Sequence, residues 1–233
     1  KHMAVRLATM PKDLQALVDE ARARCECRDA LQKAVDEKDL RGQKSAYEPT
    51  RLDDWPACAE IVADARAAIA ALERLDQVET TARGSRDGRD SIDLWQKLSN
   101  AERALPEARE AKELVDHWRE RIRLSNAFLE SVKQDSDEAE ILARWDVLQA
   151  KGGHPDADAG AARANTARRR LPILNRLHEF KSLPPTLKSD READGLWSNN
   201  QKLLTNCRQA NQYHGFADEV SQRLTAHQRA EAA

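Results

Sequence analysis

The sequence has 233 residues, of which 33% are charged, and its formal net charge is -2 with only three Phe and two Tyr. This length allows one large domain or two small ones with a buried core. Near-neutral charge argues against wholesale binding to nucleic acid or to a membrane surface. No apolar run approaches the about 18 to 20 residues that cross a bilayer. Val, Ile and Thr are scarce, which argues against an extensive β-sheet.

The first part of the chain predicts helix. Lys1-His2-Met3 resembles a cloning remnant, and residues 4–33 are expected to form the tail of a long helix. A second apolar stripe, with steps of three and four residues, predicts a helix over 54–82. The polar stretch 42–50, which contains Pro49, separates the two.

Two longer stripes follow. The stripe over 92–132 predicts one long helix, with either a kink or a tight break at Pro106, and a similar stripe covers 196–224. Shorter helices are predicted over 141–148 and 155–182. No segment alternates with period two for long enough to form a strand. The predicted fold class is therefore all-α.

An internal repeat is predicted at an offset of 102 residues. Residues 71–122 align without a gap on 173–224, with nine identities in 52 positions, and Leu94-Trp95 falls on Leu196-Trp197. We expect an elongated array of antiparallel helices, with three-helix units that share long helices in the manner of a coiled coil. Unit 1 would cover 34–135 and a truncated unit 2 would cover 136–233, as part of a longer protein.

The four cysteines do not suggest a disulfide framework. Cys25 and Cys27 lie two residues apart on a predicted helix, so their thiols point about 200° apart. Two thiols in this arrangement cannot coordinate the same metal ion. Cys58 and Cys207 fall on apolar stripes, where a free cysteine behaves as a small hydrophobic residue. This usage predicts a reducing, cytoplasmic compartment.

Trp95 and Trp197 occupy equivalent positions of the predicted repeat. They are either core residues that pack a helix against its neighbours or aromatic residues that contact a protein partner. Repetition at equivalent positions favours the core interpretation.

The sequence around His154, Asp156 and Asp158 is the most ligand-like cluster, but a calcium loop starting at Asp156 would need a glutamate where Ala167 stands. An aspartate that caps the next helix is the favoured interpretation. No metal or cofactor is predicted.

One basic tract stands out, and its members are Arg163, Arg168, Arg169, Arg170 and Arg176. These arginines could contact phosphates or an acidic protein partner. Alternatively they form a solvated face whose long stems cover the apolar stripe, and this interpretation is favoured because no aromatic residues interleave with them.

Motifs for phosphate loops, dinucleotide binding, serine hydrolases and zinc proteases are absent from the sequence. The leading hypothesis is a non-catalytic helical scaffold or adaptor that binds another protein. The alternative is a nucleic-acid-associated segment acting through the arginine tract, with nucleic-acid binding expected to be weak or absent. An enzyme whose site is not visible in the sequence is the third hypothesis.

Overall fold

The computed structural model describes residues 11–232, so the predicted cloning remnant and the predicted helix tail over 4–10 lie outside the described residues. The structure is 86% helical, without a strand among the described residues. The all-α prediction is confirmed. The helices up to residue 103 are α1 (Lys12–Asp36), α2 (Leu40–Ala46), α3 (Pro49–Leu52), α4 (Ala59–Gly84), α5 (Arg89–Lys97) and α6 (Asn100–Arg103). Those that follow are α7 (Arg109–Lys133), α8 (Glu138–Ala150), α9 (Ala161–Ser182), α10 (Leu187–Leu204) and α11 (His214–Ala232).

The chain forms two compact units, of which the first ends at Asp116 and the second begins at His117. Both residues belong to α7. The predicted boundary between repeat units, after residue 135, lies later in the chain, beyond the C-terminal end of α7, and it stays a prediction.

Four of the long helices begin in the same way. A residue with extended backbone is followed by a short 3-10 turn, and the α-helix continues directly from that turn. The extended residues are Trp55, Leu105, His154 and Cys207, about fifty residues apart. Proline is the first residue of three of these turns, where its missing N–H costs no hydrogen bond. Each turn also buries a small side chain, from Cys58, Ala108, Ala157 or Ala210.

The stripes over 92–132 and 196–224 are not single helices; at Pro106 the structure has the break and not the kink, and the continuous helix predicted over 196–224 is wrong. Leu98 and Leu105 have extended backbone, and a capping box between Ser99 and Glu102 starts a separate short helix between them. Pro106 therefore opens a new turn instead of kinking a helix. In the second stripe, Asn206 has a left-handed backbone and the following residue is extended. The apolar steps continue through each break because residues on both sides of it pack into one core.

Besides a small fifth core, four larger cores follow one another along the described chain, and each is built from the same kinds of element. It combines the second half of one long helix, the short helices after it and the first half of the next long helix. The principal residues of the first two cores are Cys27, Leu31, Leu52 and Ala65, then Leu75, Val78, Trp95 and Val115. Those of the last two are Phe128, Ile141, Leu148 and Ala164, then Leu174, Leu177, Trp197 and Tyr213.

Some described elements keep the predicted register of 102 residues. Helix α4 begins at Ala59 and α9 at Ala161, while the turns before α7 and α11 begin at Pro106 and Arg208. The tandem repeat itself stays a prediction. Trp95 and Trp197 are both buried, in the second and fourth cores, which agrees with the interpretation of these residues as core residues.

Candidate functional site

The second unit contains an open groove with a volume of about 440 Å³. It lies between the end of α9, the loop 183–186 and the starts of α10 and α11. We call it the Leu183 groove. Its apolar lining comes from Phe180, Leu183, Pro185 and Phe216, and its polar lining includes Lys181, Asp190, Gln212, Glu219 and Arg223.

Local sequence explains how the groove opens. Leu183 is extended, as expected for a residue before proline, and Pro184 and Pro185 stop α9 from continuing. Thr186 then starts α10 with a capping box, in which its hydroxyl accepts from the Ser189 N–H and the Ser189 hydroxyl accepts from the Thr186 N–H. The loop therefore leaves the side chain of Leu183 on the surface, 53% exposed.

An ion pair between a half-buried arginine and a buried aspartate joins the two helices that form one wall of the groove. Arg223 on α11 donates two hydrogen bonds of 2.8 Å to the two carboxylate oxygens of Asp190 on α10. The side chain of Asp190 is only 5% exposed. These hydrogen bonds hold the pKa of the Asp190 carboxyl below its usual value, although burial opposes the shift.

The floor of the groove is apolar. Phe180 is buried, Phe216 is half-buried, and both pack with Val220 in a small core beneath the groove. At Gly215 no atom lies within 4 Å of the place where a Cβ would be, so the backbone of α11 faces open space there.

The arginine tract lies on α9, and two of its members are tied to a buried glutamate that the sequence analysis did not single out. Arg163 and Arg170 each bind one carboxylate oxygen of Glu138, at the start of α8. Arg170 also donates to the backbone carbonyls of Leu203 and Thr205, at 2.7 and 2.9 Å. The Arg170 guanidinium thus satisfies one carbonyl in the last turn of α10 and one just after it, as a cation at a helix C-terminus does.

The remaining members of the tract are more exposed. Arg168 pairs with Asp146, at 2.6 Å, and Arg176 pairs with Glu179, also at 2.6 Å. The Arg176 guanidinium lies 4.4 Å from the centre of the Phe180 ring, which forms part of the groove floor. Arg169 is exposed and makes no ion pair with any residue that the structure describes. The predicted phosphate or partner contact of the tract stays a prediction.

Neither the groove nor Glu138 had a clear signal in the sequence. Glu138 follows two aspartates in a polar stretch, which is typical of a solvated helix start. Only its distance to Arg170, 32 residues away along the chain, shows its role. The prolines 184 and 185 predicted the break but not the apolar surface around it.

The prediction that an aspartate of the ligand-like cluster caps the next helix is wrong: Gly160 is the N-cap of α9 and makes no side-chain cap hydrogen bond, and the capping side chain is His154, which caps the preceding turn. His154 is buried, and its Nδ1 atom accepts a hydrogen bond from the Asp156 N–H at the start of the 3-10 turn Pro155–Gly160. Across residues 11–232 there is no group of three or more His, Cys, Asp or Glu placed to hold a metal ion. Over the same residues every helix is too short or too polar to cross a lipid bilayer.

Comparison with known proteins gives no relatives: no family model matches the chain, and neither a curated protein nor a solved structure is significantly similar to it.

Proposed function

We propose that the chain is a non-catalytic helical scaffold segment that binds another protein, and that its partner lies in the Leu183 groove as an amphipathic helix. The observation that carries this proposal is the exposed side chain of Leu183 in a groove that also holds Phe216, beside the Asp190–Arg223 pair that joins α10 to α11. The volume of the groove lies within the about 300 to 1,000 Å³ that is typical of binding sites.

A helix suits this groove better than a rigid small molecule does. The groove is open along one side, and its rim carries both signs of charge, from Lys181 and Glu219. An amphipathic helix places apolar anchors every three or four residues and leaves its charged residues at the rim. Burial of Leu183 and of two partner side chains would supply most of the binding free energy.

Site-specific photo-crosslinking tests the proposal. A photoreactive amino acid replaces Leu183 in the purified chain, and a matched chain carries it at Val147, which is similarly exposed at 50% on α8. We expect a protein that crosslinks at residue 183 and not at 147. That protein, once purified, should bind the wild-type chain and the Val147→Glu variant equally, and the Leu183→Glu variant at least tenfold more weakly. Equal binding by both variants would contradict the proposal.

The structure offers little support for the nucleic-acid alternative, because Arg163 and Arg170 are committed to Glu138. A mobility shift at about 150 mM salt tests it. The informative variant replaces Arg168 and Arg169 with alanine and leaves the buried Arg170 in place. We expect no sub-micromolar binding by the wild type, and binding that disappears in this variant would overturn the scaffold proposal.

The cytoplasmic compartment also belongs to this proposal. It is supported by the four cysteines, which are all free thiols. An acidic partner, as predicted from the arginine tract, would have to contact the more exposed Arg168, Arg169 and Arg176.

A further inference from the structure

The first unit contains an open cavity of about 280 Å³ with a charged lining. It lies between α2, α4 and the turn Pro106–Ala108 that precedes α7. We call it the Arg41 cavity. Its lining includes two cationic groups, from Arg41 and Lys44, and three carboxylates, from Asp76, Glu79 and Glu107. The lining thus carries both signs of charge and is net negative by one.

One face of α4 supplies the floor and one edge of the cavity. Leu72, Leu75, Asp76 and Glu79 stand at positions i, i+3, i+4 and i+7, which lie on the same side of a helix. Leu72 and Leu75 are buried and form an apolar floor. Asp76 is exposed and the side chain of Glu79 is 21% exposed, so their carboxylates form an edge that solvent reaches.

The cationic edge comes from α2, which packs on α4. The Asp39 carboxylate starts this helix by accepting a 2.9 Å hydrogen bond from the Gly42 N–H. Arg41 and Lys44, three residues apart on the helix, are both exposed. The positive charges of the cavity therefore come from one helix, and the negative charges come from another helix and a turn.

Most of the charged groups in the cavity have no ion-pair partner within the described chain. The exception is Glu79, which lies 3.9 Å from Arg83, and Arg83 also pairs with Glu110. The Oε2 atom of Glu107 is buried and accepts no hydrogen bond from a described residue. A buried carboxylate oxygen without a donor costs free energy, and a cation beside this carboxylate would offset that cost.

The ionisation of Glu79 favours the same kind of ligand. Burial raises the pKa of its carboxyl, and the carboxylates of Glu110 and Asp76 add to this shift, whereas Arg83 and Arg41 oppose it. A further positive charge near these carboxylates would reduce their mutual repulsion. The acidic side of the cavity therefore favours a cationic group.

We propose that the Arg41 cavity binds a free basic α-amino acid. Such a ligand carries one carboxylate and two cationic groups, so its net charge is opposite to that of the lining. Its carboxylate pairs with Arg41 and Lys44, its cationic groups pair with the three acidic residues, and its methylene chain covers the apolar floor. Arginine is the best match, because a guanidinium can pair with both oxygens of a carboxylate. The inference is independent of the proposed function, since the Leu183 groove lies in the second unit.

A free amino acid fits this cavity better than a basic side chain of a protein does. A basic side chain supplies a cation but no carboxylate, so Arg41 and Lys44 would face it with like charge. The volume of the cavity lies just below the about 300 to 1,000 Å³ of typical ligand sites, which suits a single amino acid.

Isothermal titration calorimetry of the purified chain tests the proposal, with L-arginine as the probe. Three analogues each lack one charge: agmatine has no carboxylate, N-acetylarginine has no α-ammonium group, and citrulline has a neutral side chain. We expect arginine to bind with a Kd below about 1 mM, and each analogue to bind about tenfold more weakly because part of the lining loses its partner.

Two results of this titration would contradict the proposal. The first is the absence of arginine binding at about 10 mM. The second is agmatine that binds as tightly as arginine, because Arg41 and Lys44 would then contact no ligand carboxylate.

Substitutions test where arginine binds. Glu107→Gln and Lys44→Gln remove one acidic and one cationic group of the cavity, and each should weaken arginine binding about tenfold. The matched control is Glu73→Gln, at an exposed residue of α4 outside the lining, which should bind arginine like the wild type. Circular dichroism checks that each variant keeps its helix content. Unchanged arginine binding in either of the two cavity variants would overturn the proposal.

Discussion

Arg170 Nη1 lies 3.1 Å from the Oε1 atom of Glu138, although 32 residues separate the two along the chain and both side chains are buried. Arg163 binds the other carboxylate oxygen, and the remaining donors of Arg170 reach two backbone carbonyls at the end of α10. One glutamate thus joins the start of α8 to the middle of α9 and, through Arg170, to α10.

Glu138→Gln should lower the free energy of unfolding by about 3 to 5 kcal/mol, because it leaves the buried charge of Arg170 without its carboxylate. The matched control is Glu140→Gln, which removes an exposed pair with Arg144 and should cost about 0 to 1 kcal/mol. Urea denaturation monitored by circular dichroism measures both. Similar losses in the two variants would show that the network of Glu138 contributes no more than a surface pair.

The second prediction concerns the dependence of the free energy of unfolding on pH. The pKa of Asp190 is lower in the folded protein, chiefly because of its hydrogen bonds from Arg223. The resulting stabilisation is complete above the unfolded pKa of about 4 and is lost as the pH falls through the folded value. Asp190→Asn should therefore be less stable than the wild type at neutral pH, and the difference should shrink below pH 4. Asp64→Asn, at an exposed residue without an ion pair to a described residue, should parallel the wild type. A difference that stays constant with pH would contradict the prediction.

The rate of thiol modification should distinguish one of the four cysteines from the other three. Cys25 is exposed, whereas Cys27, Cys58 and Cys207 are buried, and burial raises the pKa of each of these three thiols. The thiolate is the reactive form, so a chromogenic disulfide reagent should modify one thiol quickly and three slowly in the native protein. Cys25→Ser should remove the fast phase. A fast phase that remains would mean that the first or the fourth core, which hold the three buried thiols, opens readily.

Trp95→Ala and Trp197→Ala should each cost about 3 to 5 kcal/mol of unfolding free energy, because each removes a large side chain from a core. Val147→Ala, at an exposed residue, should change stability by less than about 0.5 kcal/mol. Denaturant titration decides between the two interpretations of the tryptophans. Near-neutral effects on stability together with loss of partner binding would identify them as contact residues.

Apolar periodicity predicted the helices well, and it failed where a core continues past a break in the backbone. The residues around Pro106 keep steps of three and four because Leu98 and Ala108 face the same core, although the chain is extended at Leu105. The capping pair of Ser99 and Glu102 was the local signal for that break. For the arginine tract, residue type predicted a surface role, but Arg170 is buried because acidic and carbonyl partners arrive from distant segments. Spacing along the sequence carries no information on such partners.

The arrangement of the cores also determines how far the destabilisation caused by a single core substitution extends along the chain. Helix α4 contributes its first half to one core and its second half to the next, and α9 does the same for the third and fourth cores. A substitution such as Leu31→Ala removes contacts from the first core directly and affects the second only through the backbone of α4. Within each unit, amide hydrogen exchange should therefore accelerate most beside the substituted residue and progressively less along the shared helix, as in a chain of nearest-neighbour couplings.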